Sequence, residues 1–449
     1  MPRTLYRAHW VVPVSSPPIR DGAVAVENGL IAQVGPLEQV EQVFAPERVV
    51  DLGRAILIPG LVNVHTHLEI TAMRGLLEDL PFHEWIRTLT RMKYKVYQPE
   101  DFEACAIWGA LEALRAGVTT VGDTGDSGAT VAALTKTGLR GVYYQECFGP
   151  APGDAEGSML ALSKKVRALV AKAGPRVTVG VSPHAPYTVS PQLFRLVANW
   201  GKRDGLDVAI HAAESVSEVE LLRDNTGPFA EGLKARGILF RPRGVSPLQY
   251  LESVGALEGG PLLIHCVQAS DADLELVKGR GARIAHCPRS NAKLGHGFAP
   301  LAAMRRAGLA VGLGSDSVAS NNAVDLFTEM RTASLTARAR EGDCMLMTAA
   351  ESLELATRGG AQALRLDDRV GTLEPGKQAD LCAVGLASPH LWPCPDPVAA
   401  LVYTASAGDV ILTVVEGDEL HDRGRFAYPD MPAVEARVTD LADRLTRKA

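Results

Sequence analysis

The sequence predicts an α/β protein: a (β/α)8 TIM-like barrel with a small β domain drawn from both ends of the chain. Three observations lead there. Between residues 56 and 369, eight short apolar segments alternate with stretches of helical periodicity. Most of those segments end in an ionisable residue. The flanks, 1–55 and 370–428, switch to alternating apolar and polar residues broken by glycine turns.

The elements follow in chain order. RDGAVAVENGLIAQVG reads as strands, with Asp21-Gly22 and Asn28-Gly29 as hairpin signals. The expected barrel strands are Ile56–His65, Val118–Asp123, Gly141–Glu146, Val177–His184, Val208–His211, Leu262–His265, Ala282–His286 and Ala310–Asp316. Such apolar runs suit a parallel sheet covered on both faces. DFEACAIWGALEALRAG (101–117) and PLAAMRRAG (300–308) read as helices, started by Pro99 in the first case and stopped by Gly117 and Gly308. The Gly/Pro-rich segment 225–260 reads as an insertion rather than a lid. GTLEPGKQADLCAVGL (371–386) and DVILTVVEGDEL (409–420) return to strand character, and 429–449 reads as a surface helix.

Composition excludes several classes. With 449 residues, 46% hydrophobic and 22% charged, the chain is ordinary globular protein. A net charge of -6 with no basic block argues against nucleic acid or anionic membranes as partners. No apolar run reaches the ~18 residues of a membrane span, and the first residues lack a signal peptide's apolar stretch. Seven cysteines without a C-x-x-C pattern point to a reducing, cytoplasmic setting.

The chemistry lies at the strand ends. In NVHTHLE (63–69), His65 and His67 are two apart on a strand, so both project into one pocket and can share a metal. H-x-H alone is equally well two histidines near a loop. HAAE (211–214) offers a third imidazole, His211, and a carboxylate, Glu214, able to move protons between a water and a substrate; alone it would read as a helix start. IHCV (264–267) adds His265. LGSDS (313–317) adds Asp316, completing three imidazoles and one carboxylate around a metal with a position open for water. These motifs fall on expected strands one, five, six and eight. Cys266 and Cys287 neighbour inward histidines and so point away, as core filler.

PGLVNVHTHLE, HAAE, HCV, CPRSNAKLGHG and GSDSVASNN, in this order, resemble the amidohydrolase superfamily, and within it the cytosine deaminase-like branch. That branch includes S-adenosylhomocysteine/methylthioadenosine, aminodeoxyfutalosine and guanine deaminases and the triazine hydrolases. The resemblance extends to GTLEPGKQADL near the end of the chain. It implies a metal-binding barrel, a small β-sandwich from 1–55 and 370–428, and a homodimer. By it, His65, His67, His211 and Asp316 are the ligands of one divalent ion, zinc first, with iron or manganese as alternatives. Glu214 becomes the proton shuttle, and His265 with Asp316 orients the attacking water. His184 and Trp85, together with Glu146 and Glu69, become substrate contacts. Binuclear members carry a lysine on strand four; VTVGVSPH (177–184) has none, which implies a single metal.

The expected activity is hydrolytic deamination of an adenine-type nucleoside, releasing ammonia. The HTHLE, QECFGP and CPRSN stretches resemble most the deaminases of 6-aminodeoxyfutalosine, a menaquinone-pathway nucleoside. The adenosine-type substrates, guanine and triazines are the alternatives, and a metal-free scaffold is the remaining one. Residues 77–102 exceed an ordinary βα connection and are expected to cover a ligand larger than a base. Arg91, Lys93 and Lys95 would there either favour a carboxylate-bearing extension or form a solvated helix face. No phosphate loop or dinucleotide fingerprint calls for an organic cofactor.

Overall fold

The computed structural model describes residues 2–448. Eight parallel strands form its centre: β1 (Leu61–Thr66), β2 (Val118–Gly125), β3 (Arg140–Cys147), β4 (Val177–Pro183), β5 (Ala209–Ala212), β6 (Leu262–His265), β7 (Arg283–His286) and β8 (Val311–Leu313). They make two four-stranded sheets, β1 to β4 and β5 to β8, each in sequential order. Single parallel bridges link the sheets, Val181 to Val208 at one seam and Thr66 to Asp316 at the other. The Asp316 N–H donates to the His65 carbonyl at 2.9 Å, which ties the end of the last strand to the first. The eight expected strand regions thus all form parallel strands, and helices cover them as apolar, doubly buried strands require.

The first expected strand is in fact two. Ala55–Pro59 pairs antiparallel with Leu381–Gly385 in a different sheet, and β1 begins only at Leu61. Gly60 is the reason. A Cβ there would lie 2.1 Å from the Thr119 hydroxyl, so only glycine lets the chain turn against the start of β2.

Strands from both ends of the chain are hydrogen-bonded as one nine-stranded sheet. Ala55–Pro59 and Leu381–Gly385 are its junction. Strand alternation divides the faces there. Ile56, Ile58, Cys382 and Val384 pack on the large central core, whereas Leu57, Leu381 and Ala383 join Tyr6 and Val24 in a separate apolar cluster. Asn28-Gly29 is a hairpin turn as expected, with both residues at positive φ. Asp21-Gly22 is not a turn. It lies inside the strand Ile19–Glu27, where Gly22 pairs with Ala8 and packs its backbone against the Val11 side chain.

Four helices bear on the site: α1 (Phe82–Val96), α2 (Pro99–Arg115), α3 (Gly227–Ala235) and α4 (Met431–Thr446). Pro99 stands in the first turn of α2, and Gln98 and Asp101 cap each other's backbone N–H. The C-terminal helix α4 buries Val434, Leu441 and Leu445. Leu441 and Leu445 join Trp85 and Met92 of α1 in one cluster. Arg437 and Arg444 donate to the buried Asp101 carboxylate at 2.5 and 2.7 Å, and Arg444 also reaches the Val96 carbonyl at 2.8 Å. So α4 braces α1 from behind. No helix among the described residues is long and apolar enough to cross a membrane.

Candidate active site

The side chains singled out at the strand ends converge at one rim. His65 ends β1, His67 follows it, His211 lies in β5, His265 ends β6, and Asp316 follows β8. One ring nitrogen each of His65, His67 and His211 lies within 4.8 Å of the others, and so do a ring nitrogen each of His65 and His265 and a carboxylate oxygen of Asp316. Asp316 Oδ1 is 3.2 Å from His65 Nε2 and 3.4 Å from His67 Nε2. Ala213, His265 and Asp316 all adopt positive φ, local backbone strain gathered at one place.

The donor set fits a metal. Ligands about 2.0–2.1 Å from one ion in tetrahedral array stand roughly 3.4 Å apart, close to the distances from Asp316 to His65 and His67. His65 Nε2 is buried with no hydrogen-bond partner, although Asp316 Oδ1 is 3.2 Å away. Two donors aimed at a shared point leave such an orphan. Protonation states agree. Burial lowers the pKa of His65 and His211 and takes His67 down to about 3, so all three imidazoles are neutral. Burial alone would raise the Asp316 carboxyl, but the surrounding imidazoles outweigh it and hold Asp316 well below the usual range. The hydroxyls of Ser290 and Ser320 also donate to Asp316 Oδ2 at 2.6 and 2.9 Å.

Glu214 stands beside this cluster. Its Oε1 lies 3.5 Å from His265 Nε2 and 3.3 Å from His296 Nε2. Burial would raise its pKa, yet the two imidazoles keep it below the usual value, so it is an ionised, buried base. Glu218 accepts the backbone N–H groups of Ala213 and Glu214 at 3.0 Å each and so fixes the turn that presents Glu214. His265 Nδ1 lies 2.9 Å from Asn291 Oδ1, which leaves Nε2 facing Glu214. His296 and Asn291 belong to the CPRSNAKLGHG stretch, which sequence reasoning noticed without assigning a role to either.

A cavity of about 470 Å³ opens above this floor. Of the expected substrate contacts, Trp85, His184, Glu146 and Glu69 all line it. His184 is held by Thr188 at 2.8 Å, its ring lies 4.7 Å from that of His211, and burial lowers its pKa to about 4. Glu146 is buried with an unpartnered Oε1, and burial pushes its pKa well above the ordinary value, so it presents a neutral carboxyl. Glu146, His184 and His211 also approach within 4.8 Å, but a neutral carboxyl is a poor ligand for a second ion. Glu69 differs from expectation. Its oxygens accept Lys93 at 2.6 Å and the N–H groups of Asp126 and Ser127 at 3.2 and 3.3 Å, so they are committed within the protein.

The three basic residues of α1 singled out above, Arg91, Lys93 and Lys95, separate. Arg91 and Lys95 are exposed and lie off the cavity. Lys93 is buried and paired with Glu69 and Asp126. The segment expected to be a mere insertion reaches the site through α3, whose Phe229 stacks on Tyr187 at 4.1 Å with rings 6° apart. The Phe229 ring also meets Phe82 of α1 edge-on at 6.1 Å. Periodicity could not show this, because the contact joins residues far apart in sequence.

The amidohydrolase family model matches residues 56–420. The 5-methylthioadenosine/S-adenosylhomocysteine deaminase of Pelotomaculum thermopropionicum is 35% identical over 430 residues, covering 96% of this chain and 95% of that protein. The zinc-bound crystal structure of an adenosine deaminase from Xanthomonas campestris is similar with a TM-score of 0.87 at 31% identity, covering 99% of both chains. The Helicobacter pylori aminofutalosine deaminase, in complex with methylthio-coformycin, superposes with a TM-score of 0.78 over 93% of this chain and 100% of that one; at 22% identity it shares the fold.

Proposed function

Because the chain belongs to the amidohydrolase family and is a hydrolase of C–N bonds in cyclic amidines, we propose that it deaminates an adenine-type nucleoside, with 6-aminodeoxyfutalosine as the preferred substrate. The observation that carries the reading is the ionised Glu214 within reach of His265, beside three neutral imidazoles and Asp316. The parallel strands are read as one (β/α)8 barrel, which the bridges at both seams support, with the site at its C-terminal rim.

His65, His67, His211 and Asp316 would hold the divalent ion, which when bound supplies Lewis acidity and makes water nucleophilic near pH 7. Glu214 takes the proton of the attacking water and returns it to the ring nitrogen beside the amino-bearing carbon. His265, whose Nδ1–H donates to Asn291 Oδ1, orients the attacking water through Nε2. Glu214 then moves the remaining proton of the added hydroxyl to the amino group, and as the C–N bond breaks and the carbonyl forms, ammonia leaves. His184 and the neutral carboxyl of Glu146 offer donors to the base or sugar, and Trp85 supplies an aromatic wall. The neighbourhood of Ile86, Leu89 and Phe148 excludes water from the reacting carbon. A cavity of about 470 Å³ supports a nucleoside rather than a bare base.

The test is an ammonia-release assay of the zinc-loaded enzyme against adenine, adenosine, methylthioadenosine, S-adenosylhomocysteine, 6-aminodeoxyfutalosine, guanine and a chlorotriazine. The nucleosides are expected to exceed the free bases in kcat/KM, with 6-aminodeoxyfutalosine first. Best turnover of guanine or of the triazine would replace the reading.

A further inference from the structure

We propose that Arg236, the residue that ends α3, reads the far end of the substrate by binding a carboxylate carried on the 5′ side of the ribose. The proposal rests on the adenine-nucleoside reading above and adds a residue to it that neither the sequence motifs nor the comparisons single out.

Four observations carry it. Arg236 lines the cavity that has His67, His211 and Glu214 on its floor. Its place is set by a docked element: Phe229 of α3 stacks on Tyr187, and the Arg236 N–H closes the helix on the Leu233 carbonyl at 3.1 Å. The cavity is lined by two cations, and they differ. Lys93 is buried between Glu69 and Asp126, whereas Arg236 is exposed and, among the described residues, pairs with no carboxylate. Charge is distributed unequally between the two ends of the cavity. At the floor Glu214 faces His265 and His296, and Glu69 and Asp126 take up Lys93, so the floor offers a substrate carboxylate no unpaired side-chain cation. Much of the wall between is apolar, with Trp85, Ile86, Leu89 and Phe148.

A substrate with a basic ring edge and a distant carboxylate is therefore sorted by charge. The ring goes to Glu214, and the carboxylate meets the planar guanidinium fork, which suits a two-oxygen anion better than an ammonium does. Lys93, the cation nearer the floor, cannot take that part without breaking its own pairs.

The experiment uses the zinc-loaded enzyme with an adenosine carrying a carboxyalkyl thioether at C5′, and with the methyl ester of that compound, which removes the charge and adds one methyl group. Wild type is expected to favour the acid over the ester in kcat/KM. Arg236→Met is expected to lose about 10- to 100-fold more on the acid than on the ester, chiefly through KM, as loss of a charge-assisted hydrogen bond implies. Arg236→Lys should recover part of the loss, and the acid's advantage should shrink as salt screens the exposed pair. Equal loss on both compounds, or no preference in wild type, would overturn the assignment. If neither compound nor adenosine is deaminated by wild type, the deaminase reading falls by itself. Calorimetric binding of acid and ester to wild type and Arg236→Met then decides the role of Arg236: tighter binding of the acid that the variant loses upholds it, and equal binding sinks it.

Discussion

Glu214 owes its state to two imidazoles that come from different stretches of chain. A buried carboxyl alone would be protonated and useless as a base. His265 at 3.5 Å and His296 at 3.3 Å keep it ionised, and Glu218 holds the turn beneath it. Replacing Glu214 with Gln keeps the volume and removes the proton acceptor. The variant is expected to bind its metal normally and to lose about 10²- to 10⁴-fold in kcat. Elemental analysis and turnover on the same preparation check this, and near-native turnover with metal bound would contradict the role. Glu146 works in the opposite sense: burial, with the carboxylates around it, outweighs the pull of Lys93 and leaves it neutral and able to donate.

At the scale of elements, α1 lines the cavity and α3 packs beside it through Phe229, bringing Arg236 at its end to the lining, and neither is part of a strand-to-helix repeat. Lys93 fastens α1 to the segments that follow β1 and β2, through Glu69 and Asp126 respectively, and Tyr94 adds a hydrogen bond to Asp126. Behind it, α4 fills the gap with Leu441 and Leu445. Lys93→Met would strand two carboxylates, one of them 1% exposed, and breaking a buried pair in this way costs about 3–5 kcal/mol. Most of that cost can be avoided by letting α1 open locally. The expected result is faster amide hydrogen exchange along α1 with little change in the strands, and a raised KM for nucleosides. Unchanged protection of α1 would show that its apolar contacts alone hold it.

For the whole molecule, the proposed single metal would join strand ends from both four-stranded sheets, since His65 and His67 come from the first and His211 and Asp316 from the second. An ion that binds the native state only stabilises it by mass action, about 4 kcal/mol when free metal is a thousandfold above its dissociation constant. Chelation is therefore expected to lower the melting temperature, and one equivalent of zinc to restore it with full activity. A titration that continues to two equivalents would show a second site and argue for Glu146, His184 and His211 as its ligands.

The sequence by itself determined the reacting floor and the order of the central strands. Both depend on short-range regularities: two residues apart on a strand means one face, and an apolar run ending in histidine marks a strand end. It also showed that the chain ends form one β unit, because alternation is local. Only the tertiary structure decided the rest. Pro59 and Gly60 lie inside what reads as one apolar strand, and the split follows from a close approach to Thr119. The basic residues of α1 look alike in sequence, but Lys93 alone is paired off, by carboxylates 24 and 33 residues away. Glu69 has its oxygens taken by the same network, and α3 comes over the cavity through one aromatic stack. Burial, charge pairing and ring contacts between distant segments are set by packing in three dimensions, and a one-dimensional period does not encode them.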